Sequence, residues 1–238
     1  MRINRFLASC GVASRRKSDI LVLEGRVMVN REIITEPGYI VDPLKDEVRV
    51  DGEIVKQKAK AYYKFYKPYG YITTLQDDKG RDTVMDFFTD LNIGLFPVGR
   101  LDKDSEGLLI FTNDGKLSHR LAHPKHKVEK FYEVVVNKRL RAEDVRKLEN
   151  GVRLEEGITA KCKVEITGAT KKSTELLIVL KQGWYRQIRR MLATVGAEVK
   201  SLKRTFFGPI GLGNLMPGEK RKLTNSELRE LKKNLKMD

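Results

Sequence analysis

The sequence predicts an α+β fold in which a small module of two helices and short strands precedes a larger domain built on a largely antiparallel sheet. The chain has 238 residues, enough for one large domain and a small one. Apolar residues make up 40% of it, which is adequate for a packed core. Strand-like and helical segments are mixed without strict alternation, and this mixture favours α+β over a parallel α/β architecture.

The charge balance indicates an acidic partner. Lys and Arg number 47 against 32 Asp and Glu, a formal net charge of +15, which favours nucleic acid over a merely basic protein without such a partner. The two cysteines are far apart and suggest a reducing cytosol rather than a disulfide framework. We find neither a membrane-spanning apolar run nor a secretory signal, so the sequence predicts a cytoplasmic protein without a membrane partner.

Residues 1–58 are predicted to form the small module. A first helix is expected to end at Gly11, and a second to begin behind a Ser14 cap. Short strands follow, joined by turns at Asn30-Arg31 and Asp51-Gly52. Basic residues lie in and around the helices, namely Arg2, Arg5, Arg15, Arg16, Lys17, Arg26 and Arg31.

A short charged linker at 56–60 leads into the larger domain, residues 61–238. Apolar runs predict its strands, and helical periodicity predicts its helices. A capping box at Thr224 and Glu227 predicts a helix near the C-terminus. We expect strands at 62–66, 108–112, 131–136, 164–167 and 176–180, and helices at 116–122, 142–150 and 186–195.

The most informative segment is 99–115, where acidic residues precede an apolar run. The run 108–112 predicts a buried strand, so residues 102–106 would form a loop at the mouth of a sheet. A carboxylate beside Arg100 in a basic groove indicates chemistry on a polyanion. A solvated acidic turn is an alternative, as is a two-metal nuclease, which would need further carboxylates. Calcium is disfavoured, because the twelfth loop position is Asn113 rather than a bidentate Glu.

The order Gly99-Arg100-Leu101-Asp102, Gly107-Leu108-Leu109 and Asp114-Gly115 resembles the catalytic motif of bacterial ribosomal-RNA pseudouridine synthases that carry a small N-terminal RNA-binding module. The resemblance extends over nearly the whole chain. It implies that Asp102 is the catalytic aspartate, with Asp104 and Glu106 as lesser candidates. It also implies that no cofactor is needed, because pseudouridine is an isomer of uridine. Whether the carboxylate attacks the sugar or removes a proton from it stays open.

Three further elements resemble motifs of the same family. The segment Arg186-Gln187-Ile188-Arg189-Arg190-Met191 implies that Arg189 pairs with Asp102, while Arg186 and Arg190, on one helix face, contact phosphate. The K-x-Y element ending at Tyr132 implies an active-site tyrosine that stacks on uracil, where composition alone favours a packing residue. Lys67-Pro68-Tyr69-Gly70 resembles the K-P-x-G element and predicts a turn near the site.

The N-terminal segment resembles a small RNA-binding module known from a ribosomal protein, with Arg31 where glycine is usual. We therefore expect ribosomal RNA or a pre-ribosomal particle as the partner of a monomeric enzyme. Residues 155–160 and the Arg186-Gln187 pair resemble the synthases that act on large-subunit RNA, and this resemblance implies large-subunit RNA as the substrate, with small-subunit RNA as the alternative. The RNA-binding residues are predicted to be Arg2, Arg5, Arg15, Arg16, Arg26, Arg100, Lys130, Arg186, Arg190 and Lys203.

Two rival functions stay open. A non-catalytic RNA-binding ribosome-assembly factor would share the basic surface but would not need Asp102, Tyr132 and Arg189 together. A metal-dependent nuclease would lose activity in a chelator. No metal site is predicted, because the three neighbouring histidines at 119, 123 and 126 have no cysteine pair nearby.

Overall fold

The structure is a computed structural model that describes residues 1–91 and 93–237. They form two compact units. None of the described helices is both long enough and apolar enough to cross a membrane. The smaller unit comprises Met1–Tyr62, Phe88–Phe96 and Thr112–Asp114, and the larger comprises Tyr63–Phe87, Pro97–Phe111 and Gly115–Asp238.

The smaller unit builds one hydrophobic core from two helices and a four-stranded antiparallel sheet. Its core residues include Phe6 and Leu7 of the first helix and Val22 of the second. Ser14 caps the second helix by accepting a hydrogen bond from the Lys17 backbone N–H at 3.3 Å. The elements are α1 (Ile3–Ser9), α2 (Arg15–Leu23), β1 (Val27–Val29), β2 (Glu32–Ile34), β3 (Val48–Val50) and β4 (Glu53–Ile54), with strand order β2-β1-β3-β4.

Tight turns join β1 to β2 and β3 to β4 at the predicted positions. Asn30 and Arg31 have φ angles of 49° and 74°, and Asp51 and Gly52 have φ angles of 51° and 85°. Positive φ at both central residues is typical of the hairpin turns that match strand twist. Arg31 adopts this conformation without the freedom of glycine, so its turn carries some backbone strain.

A nine-stranded sheet supplies the framework of the larger unit. Its strands are β5 (Tyr62–Lys67), β6 (Phe96–Val98), β7 (Glu106–Thr112), β8 (Lys130–Val136), β11 (Lys163–Ala169), β12 (Thr174–Leu180), β13 (Val199–Phe207), β14 (Ile210–Gly211) and β15 (Lys220–Lys222), and a separate hairpin pairs β9 (Arg153–Leu154) with β10 (Gly157–Ile158). The path of the sheet is β11-β12-β8-β13-β7-β5-β15, with β14 beside β13 and β6 beside β7. Most neighbouring strands run antiparallel and β13 pairs with β7 in parallel, so the predicted α+β fold with a largely antiparallel sheet is confirmed.

Four α-helices accompany this sheet in the part of the chain that the structure describes. The predicted helix at 142–150 is confirmed. Thr224 and Glu227 form the predicted capping box of the last helix. The helices are α3 (Gly115–Ala122), α4 (Ala142–Asn150), α5 (Gln187–Ala193) and α6 (Asn225–Asn234).

Two local features differ from the sequence prediction. The strand β13 lies between β8 and β7 in the sheet, but its lysines and arginine interrupt the apolar pattern by which strands are recognised. Helical periodicity places Arg186 on the same helix face as Arg190, yet Arg186 precedes α5 in a left-handed conformation with φ 48°. Its side chain therefore leaves the chain in a direction that helical periodicity does not describe.

Candidate active site

A cavity of about 460 Å³ opens above the face of β8 and β13 in the larger unit. Antiparallel pairing sets Tyr132 opposite Arg204 and Lys130 opposite Phe207, so these four side chains share one face and form the cavity floor. Residues 99–102 and Ser105 line one wall, and residues 180–188 line another. The cavity thus brings together five predicted site residues, Arg100, Asp102, Lys130, Tyr132 and Arg186.

The loop that carries Asp102 is fixed by hydrogen bonds on both sides of the carboxylate. The Thr73 hydroxyl donates to the Leu101 carbonyl at 2.8 Å, and the Gly70 N–H donates to the Lys103 carbonyl at 2.8 Å. A turn closes when the Ser105 N–H donates to the Asp102 carbonyl at 3.1 Å. The half-buried Asp102 side chain is therefore held at the cavity by backbone contacts.

The arginine segment binds Asp104 rather than Asp102, so the predicted pair between Arg189 and Asp102 is wrong in this structure. Arg186 donates two hydrogen bonds to the Asp104 carboxylate, at 3.0 and 2.8 Å. Arg189 forms an ion pair with the same carboxylate at 3.2 Å and donates to the Asp104 carbonyl at 2.5 Å. This backbone contact fixes the Arg189 guanidinium beside residue 104, which explains why it does not pair with residue 102.

Burial alone would raise the pKa of Asp104. The hydrogen bonds from Arg186 and the positive charges of Arg189 and Arg186 outweigh burial, and the pKa of this carboxyl lies below its usual value. Asp104 is therefore an ionised anchor for the two arginines.

A buried lysine that the sequence analysis does not assign to the site lies beneath the acidic loop. Lys67 has no exposed surface, and its ammonium donates to the carbonyls of Ser105 at 2.6 Å and Pro68 at 3.0 Å. Burial lowers its pKa to about 8, while the charges of Asp102, Asp104 and Glu106 act in the opposite direction. The K-P-x-G element is the signal that could have found it, because Lys67 is its first residue.

The cavity floor holds a second residue that the sequence analysis does not assign to the site, Arg204. It is 2% exposed, donates from Nε to the Leu108 carbonyl at 2.8 Å, and lies 4.9 Å from the centroid of the Phe207 ring. The Lys130 ammonium lies 5.3 Å from the centroid of the same ring and donates to the Val128 carbonyl at 3.0 Å. Burial, followed by the charge of Arg204, lowers the pKa of Lys130 to about 8.

Other predicted RNA-binding residues lie outside the cavity. Arg190 binds Glu156, beside the β9–β10 hairpin, through two hydrogen bonds of 2.8 and 2.6 Å. Lys203 forms an ion pair with Glu133 at 3.2 Å. In the smaller unit the predicted residues Arg2, Arg5, Arg15, Arg16 and Arg26 are all exposed.

The histidines His119, His123 and His126 do cluster, with ring centroids 4.9 to 6.5 Å apart. Across residues 1–91 and 93–237, however, no group of three His, Cys, Asp or Glu side chains is placed to hold a metal ion.

Comparison with known proteins gives a consistent result. A family model described as RNA pseudouridylate synthase matches residues 61–194, and a model of the S4 domain matches residues 1–48. An uncharacterized RNA pseudouridine synthase from Aquifex aeolicus is 42% identical over 97% of this chain and 93% of its own length. The ribosomal large subunit pseudouridine synthase B of Bacillus subtilis is 42% identical over 97% of this chain and 95% of its own length.

Solved structures agree with the sequence comparisons. A crystal structure of a pseudouridylate synthase superposes with a TM-score of 0.71 at 29% identity, over 97% of this chain and 99% of that one. The segment that matches the pseudouridylate synthase model includes Asp102, Tyr132 and Arg189.

Proposed function

The chain belongs to the RNA pseudouridylate synthase family, and we propose that it converts a specific uridine of ribosomal RNA to pseudouridine. The relative from Bacillus subtilis is named for large-subunit pseudouridine synthesis and aligns over nearly the full length of both chains. This similarity favours a uridine of the large-subunit RNA, with small-subunit RNA as the alternative. The enzyme is proposed to act as a monomer on ribosomal RNA or a pre-ribosomal particle.

The proposal rests on the environment of Asp102. This carboxylate lines a cavity shared with Tyr132 and three predicted cationic RNA-binding residues, Arg100, Lys130 and Arg186. A protein that only bound RNA would gain nothing from a carboxylate there, because it would repel phosphate. We therefore assign Asp102 as the catalytic residue that acts on the ribose, as nucleophile or as base.

The remaining site residues have distinct proposed roles. Tyr132, 8% exposed on the cavity floor, would stack on the extruded uracil. Arg186 and Arg189 hold Asp104 and thereby position the loop that carries Asp102. Arg189 is thus a positioning residue in this proposal.

The RNA would be held by both units. The S4 match and the exposed arginines of residues 1–58 support an RNA-binding module, and residues 61–238 would form the catalytic domain. Within the larger unit, Arg100 and Lys130 would contact the RNA directly, whereas Arg186, Arg190 and Lys203 would have to exchange the carboxylates of Asp104, Glu156 and Glu133 for phosphate.

The Asp102→Asn variant tests the assignment. The amide keeps the shape of the side chain but removes the charge that either mechanism needs, so pseudouridine formation should be abolished while RNA affinity survives. Asp78→Asn is the matched control, because Asp78 is exposed elsewhere in the larger unit. Turnover of ribosomal RNA by Asp102→Asn near the wild-type rate would refute the central assignment.

The target uridine needs a separate experiment. Pseudouridines mapped in ribosomal RNA from cells with and without the gene should differ at one position in the large-subunit RNA. A wild-type enzyme that binds RNA but forms no pseudouridine would instead support the assembly-factor alternative. Activity that persists in a chelator would exclude the metal-dependent nuclease.

A further inference from the structure

Four charged side chains at the cavity form no salt bridge among the residues that the structure describes. They are Arg100 and Asp102 on the loop wall and Lys130 and Arg204 on the floor, whereas Asp104 forms two salt bridges. The interactions of Asp102 with Lys67 and Arg186 act over longer distances. The loop wall of the cavity therefore carries one carboxylate and one cation outside any salt bridge, whereas its floor carries two cations and no carboxylate.

The placement of the two cations is unfavourable in the absence of a ligand. Lys130 on β8 pairs with Phe207 on β13, and Arg204 pairs with Tyr132, so the two cations are diagonal neighbours on the same sheet face. Both lie close to the Phe207 ring. Arg204 is almost fully buried, and its Nη2 has no hydrogen-bond partner within the described part of the chain. Contact with an aromatic ring stabilises a cation, but buried like charges without an anion remain costly. Such a floor is suited to a ligand that brings negative charge.

We propose that Lys130 and Arg204 form the site that receives the negative charge of the uracil ring when its bond to ribose breaks. The inference rests on the proposed function and adds a catalytic role for these two residues. The sequence predicts Lys130 only as an RNA contact and gives no role at the site to Arg204.

The bond changes explain why such a site is needed. When the C1′–N1 bond breaks, its electron pair leaves with N1, and uracil becomes an anion delocalised over N1, O2 and O4. In one route an Asp102 oxygen bonds to C1′. In the other, Asp102 takes the C2′ proton, and the pair from that C–H bond forms a C1′=C2′ double bond. Either route moves one negative charge from Asp102 to the base.

The second half of the reaction reverses this transfer. The base turns and C5 bonds to C1′, while the carboxylate departs or returns its proton to C2′. The proton lost from C5 balances the proton gained at N1, so the product is an isomer and no co-reactant is consumed. Cations fixed in advance at the position of the base stabilise the intermediate without reorganisation, which is how preorganised electrostatic catalysis lowers a barrier.

A catalytic role of Lys130 predicts that the rate of the chemical step depends on the protonation of this lysine, which a packing role would not. The charged group that lowers its pKa is Arg204 on β13, whereas Lys181, next to Leu180 of β12, is paired with Glu129. Burial and Arg204 bring the Lys130 pKa to about 8. The side chain is therefore positively charged at neutral pH and loses its proton and its charge as the pH rises through that value. The rate of the chemical step should fall over the same range.

The test compares Lys130→Met and Lys130→Arg in the full chain by single-turnover kinetics at saturating enzyme. Lys130→Met should lower the rate roughly a hundredfold or more, as when one oxyanion donor is removed, and this loss of rate should far exceed the loss of RNA affinity. Lys130→Arg should retain most of the rate, and its rate should decline less above pH 8 than the wild-type rate does, any remaining decline being due to Lys67, whose pKa is also about 8. Lys163→Met, which removes a charge from the exposed edge strand β11, controls for loss of a lysine.

Two results would overturn the inference: a normal bound-state rate for Lys130→Met, or coincident pH profiles for the wild type and Lys130→Arg. An Arg204→Met variant is informative only where it folds, since Arg204 also binds the Leu108 carbonyl; the Lys130 variants do not depend on it. Failure of the proposed function would look different, because the wild-type protein itself would then form no pseudouridine.

Discussion

At the scale of single residues, two aspartates separated by one lysine have opposite environments. Asp104 binds two arginines and serves as a structural anchor, whereas Asp102 faces the cavity without a salt bridge in the described part of the chain. A catalytic carboxylate needs this freedom, because a bidentate arginine would compete with its reaction at the ribose. The loop thus separates the charge that holds the site together from the charge that reacts.

The anchor role of Asp104 predicts a stability change that depends on pH. Asp104→Asn should lower the free energy of unfolding at pH 7 by about 1.5–3 kcal/mol, the range for hydrogen bonds to charged groups. Because the folded-state pKa of Asp104 is lowered, its contribution is present above the unfolded-state pKa and is lost as the pH falls through the folded value. Urea unfolding of the wild type and Asp104→Asn at pH 7 measures the loss of stability, and the same comparison at acid pH measures how far the difference disappears. Equal stability of the variant, wild type and Asp78→Asn at pH 7 would contradict the anchor role.

Sequence motifs predict which residues form the site more reliably than they predict the contacts between those residues. Asp102, Lys130, Tyr132 and Arg186 do line one cavity, because the strand pattern and the acidic loop fix their positions locally. The Arg189 partner could not be derived, since it depends on the left-handed backbone of Arg186 and on contacts 85 residues apart in sequence. Arg204 could not be found either, because a basic residue beside other basic residues carries no sign that it is buried.

At the scale of secondary-structure elements, the segment between β12 and α5 shapes the cavity mouth. Gln187 donates to the Gln182 side chain at 3.1 Å, and Gln182 in turn accepts from the Ala160 N–H at 3.0 Å. Helix α4 is predictable from periodicity alone, whereas β13 is not, because it pairs through its backbone with β8 and β7 while its side chains alternate irregularly between buried and exposed. Gly107 permits this parallel pairing, since a Cβ there would collide with the Arg204 backbone.

The exposed aromatic ring in this segment predicts a contact with a neighbouring base. Tyr185 lines the cavity but is 67% exposed, so its ring is available for stacking. Tyr185→Ala should weaken RNA binding by roughly 5- to 150-fold, the equivalent of about 1–3 kcal/mol for one stacked base, whereas Tyr185→Phe should bind normally. An RNA with an abasic site beside the target should bind equally to the wild type and Tyr185→Ala. Unchanged affinity of Tyr185→Ala for intact RNA would exclude the contact.

At the scale of the whole molecule, nearly all of the net charge of +15 lies in the larger unit, because the smaller unit holds 12 Lys and Arg against 11 Asp and Glu. In the smaller unit Arg26 is engaged by Asp51 and Glu24. Arg15 and Arg16 at the start of α2 form no salt bridge within the described residues, so they are available to phosphate. Simple basic excess is enough to predict a nucleic-acid partner, but the ion pairs that occupy Arg26, Arg190 and Lys203 follow from the folded chain and could not be read from composition.

Arg15 and Arg16 are predicted to contribute to RNA affinity but not to the rate of the reaction once the RNA is bound. The double variant Arg15→Gln/Arg16→Gln should bind ribosomal RNA more weakly, and the slope of log affinity against log salt should fall by roughly 0.7–0.9 for each phosphate that is no longer neutralised. Lys45→Gln, which removes an exposed charge from another part of the smaller unit, is the control. At saturating enzyme the single-turnover rate should match the wild type, because neither arginine belongs to the larger unit that contains the cavity. An unchanged salt slope would show that α2 does not contact the RNA backbone, and a reduced bound-state rate would show that the smaller unit takes part in the reaction itself.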